Sequence, residues 1–231
     1  MKTIGMLGGM SWESTVPYYR LINQRMQERL GGLHSARLLL YSVDFQEIEQ
    51  LQHAGEWGRA GELLADAARR LQGAGADFLV ICTNTMHKVA PAVEAATALP
   101  LLHIADPTAR AIVSEGFRRV GLLGTRFTME EDFYRARLQR EHGLDVVVPD
   151  AGDRLEVHRI IYDELCQGVV DEGSRGVYRG VIARLVARGA EAVVLGCTEI
   201  SLLVGRGDSR VPLFDTTALH ARAAADFALD D

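Results

Sequence analysis

Lysine is nearly missing from this chain of 231 residues: Lys2 and Lys88 are the only two among 25 Lys and Arg side chains. Chemistry that needs a lysine Schiff base, pyridoxal phosphate catalysis included, therefore has two candidate anchors and no supporting motif. Cysteine is sparse too. Cys82, Cys166 and Cys197 form an odd set, which does not build a disulfide framework and leaves thiols available as chemical tools. Positive charge does not dominate: the 25 Lys and Arg face 31 Asp and Glu, for a net charge of -6, so a nucleic-acid-binding surface is not expected. No apolar run is long enough to span a bilayer. The start lacks a basic region followed by an apolar stretch and a cleavage site, so the expected compartment is the cytosol and no membrane partner is expected. There is no G-x-S-x-G elbow, and Gly5-Met6-Leu7-Gly8-Gly9 lacks the spacing of a dinucleotide fingerprint.

The remaining composition, 48% hydrophobic and 24% charged, is that of a globular protein. Short apolar runs alternate with longer helical patterns. Strands are expected over residues 3–7, 37–43, 78–81, 101–104, 119–123, 145–148, 192–195 and 211–214. Helices are expected over 13–30, 58–72, 86–96, 108–115, 129–142, 154–167, 174–187 and 217–229. This alternation predicts an α/β fold with parallel sheets.

The pattern also repeats. Lys2-Thr3-Ile4-Gly5-Met6-Leu7-Gly8 resembles Arg118-Arg119-Val120-Gly121-Leu122-Leu123-Gly124 at an offset of 116. Tyr19-Arg20 falls near Tyr134-Arg135, and Gly75-Ala76-Asp77-Phe78 matches Gly189-Ala190-Glu191-Ala192 at an offset of 114. Three matches in order point to two related α/β domains. The expected boundaries are 1–103 plus 212–231 for the first and 104–211 for the second, with the segment after Pro212 outside the repeat and returning to the first half.

Two strand ends carry the candidate chemistry. One reads Ile81-Cys82-Thr83-Asn84-Thr85-Met86-His87, the other Leu195-Gly196-Cys197-Thr198-Glu199. Ligands of open α/β sheets bind at the carboxyl ends of strands, and a thiol at a helix N-terminus is expected to have a lowered pKa. The offset of 114 sets Thr83, not Cys82, opposite Cys197. Successive strand side chains face opposite ways, so Thr83 projects where Cys197 does unless a bulge intervenes. The pair is thus Thr83/Cys197 or Cys82/Cys197. Cys166, inside a helical pattern, reads as a packing residue whose replacement by serine changes little. A zinc site from Cys82, His87 and Cys197 lacks a fourth ligand and tight ligand spacing, so no metal is expected. His87 is expected to bond to backbone in a turn or helix.

Three segments together resemble the aspartate/glutamate racemase family: Gly8-Gly9-Met10-Ser11-Trp12-Glu13-Ser14-Thr15, Cys82-Thr83-Asn84-Thr85-Met86-His87 and Gly196-Cys197-Thr198-Glu199. The resemblance spans nearly the whole chain and is closest to enterobacterial-type acidic-amino-acid-specific or broad-specificity racemases. It implies two pseudo-symmetric domains, each a mostly parallel sheet flanked by helices, with the active site in the cleft between them, commonly as a homodimer. It implies no cofactor. In the family two thiols flank the substrate Cα, one removing the α-proton and the other delivering a proton to the opposite face.

Carried onto this chain, the first catalytic position is Thr83 and the second Cys197. Because a hydroxyl is a far weaker base than a thiolate, the resemblance implies an asymmetric site. Cys197 would serve one enantiomer, the L form, while the reverse direction is slow or borrows Cys82 or a water. Met10, Ser11 and Gln52 are implied substrate contacts, and Asn84, Thr85 and Thr198 would hold the α-carboxylate. Some aspartate racemases carry a lysine where Cys166 stands, so strict aspartate specificity is not implied, and an uncharged side chain such as that of homoserine is admissible. Other activities served by similar folds are hydantoin racemase, arylmalonate decarboxylase and maleate isomerase. A non-enzymatic amino-acid-binding protein is the remaining alternative.

Overall fold

In the computed structural model, which describes residues 1–230, apolar runs ending in glycine or aspartate become short parallel strands. Residues Met1–Ile104, joined by the chain from His220 onward, form one unit, and Ala105–Leu219 form a second.

The first unit contains β1 (Ile4–Gly8), α1 (Trp12–Leu30), β2 (Leu38–Ser42), α2 (Phe45–Ala54), α3 (Trp57–Gly73), β3 (Phe78–Ile81) and α4 (Ala90–Ala96). Its sheet runs β2-β1-β3, all parallel. The strands alternate between two cores, as period-two side chains must. Leu79 and Ile81 pack with Ile48, Leu51, Leu64 and Leu71 of α2 and α3. Phe78, Val80 and Cys82 pack on the other face, against Tyr18, Ile22 and Met26 of α1.

The second unit contains α5 (Ala105–Ser114), β4 (Arg119–Gly124), α6 (Arg126–Glu130), α7 (Asp132–His142), β5 (Asp145–Val147), α8 (Ala151–Asp163), α9 (Glu172–Ala187), β6 (Ala192–Gly196), α10 (Ile200–Leu203), β7 (Leu213–Asp215) and the start of α11 (Thr216–Leu229). Its sheet runs β5-β4-β6-β7, again all parallel. Val193, Leu195 and Cys197 face Val157, Ile160 and Ile161 of α8 and Tyr178, Val181 and Leu185 of α9. The strand order of the first unit therefore recurs in the second, as the repeat predicts.

The repeat reaches further than the sequence indicates. Pro100 precedes an isolated parallel bridge from Leu101 to Leu79, and Leu79 N donates to the Pro100 carbonyl at 2.9 Å. Pro212 precedes β7, and Val193 N donates to the Pro212 carbonyl at 2.9 Å. The expected strand at 101–104 is thus a one-bridge counterpart of β7. Residues 212–219, expected with the first domain, instead lie in the second unit because β7 pairs with β6. Only the later part of α11 meets the first-unit core, through Ala221, Ala224, Ala225 and Ala228.

Other differences are local. The polar segment of α2 escapes a search for apolar periodicity, although Asp44 caps it by accepting from Gln46 N at 3.1 Å and Gly55 ends it with φ 72°. The pattern at 86–96 splits into a 3₁₀ turn (Thr85–Val89) and α4. That at 129–142 breaks at extended Glu131, and that at 154–167 ends at Asp163, putting Cys166 in a 3₁₀ turn (Leu165–Gln167). Among the described residues, no helix is long and apolar enough to cross a membrane.

One glycine is indispensable to the loop after β1. Gly9 has φ +88°, and a Cβ there would sit 2.4 Å from the Val43 carbonyl oxygen. Replacement by alanine meets both the left-handed penalty and a clash with backbone. Gly9→Ala is expected to cost at least about 2 kcal/mol in urea unfolding; a cost under about 0.5 kcal/mol would contradict this packing.

Candidate active site

Cys82 N donates to the Leu7 carbonyl at 2.9 Å, so the β1–β3 ladder continues one residue past β3. The side-chain alternation continues with it. Cys82 is 0% exposed in the apolar cluster behind α1, and burial pushes its thiol pKa up. Its side chain packs in that cluster, on the face opposite to the one Thr83 takes. Thr83, next in the chain, turns to the other face and keeps 8% of its surface. Asn84 and Thr85 follow, both buried. The turn is closed by His87, whose N donates to the Asn84 carbonyl at 3.0 Å and whose Nδ1 lies 2.8 Å from the Thr83 carbonyl.

The loop after β1 is fixed by its hydroxyls. Gly9 N donates to Thr15 Oγ1 at 2.9 Å, and the hydroxyls of Ser14 and Thr15 donate to the Ser11 carbonyl at 2.8 and 3.0 Å. Ser11 stands at the N-cap position of α1 without a side-chain capping bond and is buried. Met10 packs its side chain into the core with Leu7, Ile48 and Leu51, which leaves its backbone, not its side chain, as the part suited to a ligand. Gln52, on α2, is buried and its amide donates to Met86 Sδ at 3.1 Å.

The end of β6 is the second half of the candidate chemistry. Gly196 has no room for a side chain, since a Cβ would lie 2.8 Å from the Leu123 carbonyl oxygen of β4. This close approach delivers Cys197 at the end of the ladder, 8% exposed, on the face shared with Val193 and Leu195. It is the face that Thr83 takes in the equivalent register of the first unit.

Sequence reasoning named Cys197 and Thr198 but missed the group that organises them. The buried Glu199 carboxylate accepts from Cys197 Sγ at 3.0 Å and from the Thr198 hydroxyl at 2.6 Å through Oε2. Its Oε1 accepts from Cys166 Sγ at 3.6 Å. Glu199 already stood in the Gly-Cys-Thr-Glu motif; nothing in sequence spacing tied Cys166 to it.

The electrostatics reverse the sequence expectation for Cys197. Burial first, then the Glu199 charge and Cys166, hold its pKa well above the ordinary thiol value. The short α10 does not offset these effects. Burial and Glu199 likewise raise Cys166. The resting state is a neutral Cys197 thiol hydrogen-bonded to a carboxylate, an acid–base pair across which one proton can move. Cys166, expected to be inert packing, is a partly buried donor to that carboxylate.

The zinc alternative fails locally. Cys82 is in the core, and both His87 ring nitrogens are engaged, with Nε2 accepting from Ile104 N at 3.2 Å. Asp106, Glu141 and His142 also come together, but Arg137 grips both Asp106 oxygens at 2.7 and 2.8 Å.

The profile of the Asp/Glu/hydantoin racemase family matches residues 7–224. The chain belongs to that family. Its two parallel sheets flanked by helices are the fold seen in family members. A Yersinia pestis chain assigned as an Asp/Glu racemase is 60% identical, with a TM-score of 0.92 and complete coverage of both chains. An aspartate racemase homologue from Pyrococcus horikoshii is 35% identical, with a TM-score of 0.85 and complete coverage of both. The broad specificity amino-acid racemase RacX of Bacillus subtilis is 23% identical over 225 residues, 95% of each chain. Membership makes this chain an isomerase of the racemase kind, as its motifs imply.

Proposed function

We propose that the chain is a cofactor-independent amino-acid racemase that inverts Cα by two-base proton transfer. Cys197 removes the α-proton of the L enantiomer and Thr83 supplies a proton to the opposite face. The observation that carries this reading is the matched register of Thr83 and Cys197 at the ends of β3 and β6, with Glu199 against the thiol. The reading requires both groups to reach one carbon from opposite sides.

In the forward direction Glu199 takes the Cys197 proton as the substrate ammonium enters. The thiolate formed then abstracts the α-hydrogen while the Thr83 hydroxyl gives its proton to the opposite face; as product leaves, Glu199 releases a proton to solvent and Thr83 regains one from it. Thr198 and the Asn84-Thr85 turn are suited to the α-carboxylate, being small, polar and buried beside the reacting groups. Both lysines are engaged elsewhere: Lys88 Nζ lies 3.8 Å from the Trp57 ring centroid, and Lys2 bonds the Asp230 carbonyl. This supports chemistry without a Schiff base.

The proposed substrates are aspartate, glutamate or a wider set including homoserine. Cys166 brings no cation to a side-chain carboxylate, and the likeness to a broad-specificity racemase supports the wider range. The test is purified protein without pyridoxal phosphate, offered a panel of L-amino acids in heavy water. Loss of optical rotation together with α-proton exchange is expected. Absence of both across the panel would overturn the proposal, and carbon dioxide release would indicate a decarboxylase. Thr83→Cys is expected to raise exchange of the D enantiomer by roughly tenfold or more, because a thiolate replaces a hydroxyl as base. Unchanged handedness of exchange would count against Thr83 meeting the substrate.

A further inference from the structure

Three buried imidazoles, His87, His103 and His220, lie together in the first unit. The ring centroids of His87 and His103 are 4.4 Å apart, and those of His87 and His220 are 6.0 Å apart. Hydrogen-bond partners fix the tautomers of two of them. A carbonyl only accepts, so His87 Nδ1, 2.8 Å from the Thr83 carbonyl, carries the hydrogen. An amide only donates, so Nε2, 3.2 Å from Ile104 N, carries the lone pair. By the same logic His220 Nε2 donates to the Leu102 carbonyl at 2.8 Å, and its Nδ1 accepts from the Tyr18 hydroxyl at 2.8 Å.

The segment Leu102-His103-Ile104 is thus held at its first carbonyl and its last amide by two imidazoles of opposite tautomer. It is also where the chain leaves the first unit, and His220 is where it returns. One of these imidazoles reaches directly to the carbonyl of Thr83.

We propose that His87 is a positioning residue: its single neutral tautomer ties the Thr83 turn to Ile104, and proton uptake at His87 in acid releases that tie. The inference rests on the reading of Thr83 as a proton-transfer group. A proton on Nε2 would point at the Ile104 N–H, donor against donor. The groups facing His87 are His103 from the 102–104 segment, His220 from α11, and the carbonyls of Thr83 and Asn84, with Tyr18 of α1 joined through His220. Burial and the two neighbouring imidazoles hold the His87 pKa well below its ordinary value, which keeps the tie intact at neutral pH.

The second unit has no histidine at the equivalent place, and its side chain there bonds the carbonyl one residue further on, the counterpart of Asn84. Ser201 and Asp215 stand where His87 and His103 stand in the first, and the Ser201 hydroxyl donates to the Thr198 carbonyl at 3.2 Å. Acid therefore acts on the Thr83 side of the reaction and not, through this device, on the Cys197 side.

The experiment measures, for an L substrate in heavy water, the ratio of inversion to exchange with retention, from about pH 8 down to the lowest pH at which the protein stays folded, about pH 4. Exchange with retention needs only Cys197; inversion also needs Thr83. The wild type is expected to lose inversion faster than exchange as pH falls. His87→Asn, which keeps a donor near the Nδ1 position but lacks the acceptor for Ile104 N, is expected to show at neutral pH the lowered ratio that the wild type reaches in acid, and to have no acid step. His87→Gln, which keeps only the Nε2 end, is expected to lower the ratio roughly tenfold at every pH.

Nitrogen-15 NMR of the wild-type imidazoles tests the same idea without a variant. His87 should be neutral with hydrogen on Nδ1 at pH near 7, and its protonation should track the fall in the ratio. A charged or Nε2–H His87 at neutral pH would overturn the inference. So would a wild-type ratio that does not change with pH, or a neutral-pH ratio left unaltered in either folded variant. A wild type that neither exchanges nor inverts any substrate would instead overturn the racemase reading itself.

Discussion

Cys197→Ser is expected to lower α-proton exchange by at least about 10³-fold, which corresponds to about 4 kcal/mol of barrier. The hydroxyl fits the same space and can still donate to Glu199, so unfolding should be little changed. The loss is chemical. A thiol can pass its proton to a neighbouring carboxylate and become a strong base, whereas a serine hydroxyl is far too weak an acid to do so at neutral pH. The measurement is the exchange rate of an L substrate in heavy water beside a urea unfolding curve. A folded variant within about tenfold of wild type would remove Cys197 from the reaction.

Glu199→Gln carries the second large effect. Glutamine keeps the shape of the side chain but cannot accept a proton as a base. A fall in turnover of about 10²- to 10³-fold is expected, the range for loss of a general base. The pH dependence gives the sign. In the native protein the Glu199 charge is among the causes that hold the Cys197 pKa high. Removing that charge lowers the thiol pKa, although burial still opposes ionisation. The residual rate of the variant should therefore climb with pH as the thiolate forms without a local base. Turnover like the wild type at neutral pH would mean that Cys197 is activated by another group.

Much of the architecture was legible because strands and repeats leave local signatures. β1, β3, β4 and β6 are apolar runs buried on both faces, and their glycine borders recur at a nearly constant offset. The same offset aligned Thr83 with Cys197, since side-chain facing in a strand depends only on counting by two. Helix α2 was not legible by this route. Its residues are mostly polar and only Ile48, Leu51 and Gln52 are buried, so the signal lay in the Asp44 cap and Gly55. Residues 101–104 look like a strand because they are apolar, yet only one bridge forms there.

The thiols mark the boundary between sequence and tertiary structure most sharply. The order of residues by itself determined the fold class, the two related halves and the motifs that identify the family. These follow from periodicity and from neighbours along the chain. Whether a sulfur ionises depends on what surrounds it in space. Cys166 is 33 residues from Glu199 in sequence and Cys197 is two residues away, yet both thiols converge on its carboxylate. Desolvation and that charge raise the Cys197 pKa where a helix start alone would lower it. Likewise His87 is a turn residue by sequence, and only the folded chain brings Ile104, His103 and His220 around its ring. Pairwise energies between distant residues arise when burial removes water, and no local pattern encodes them.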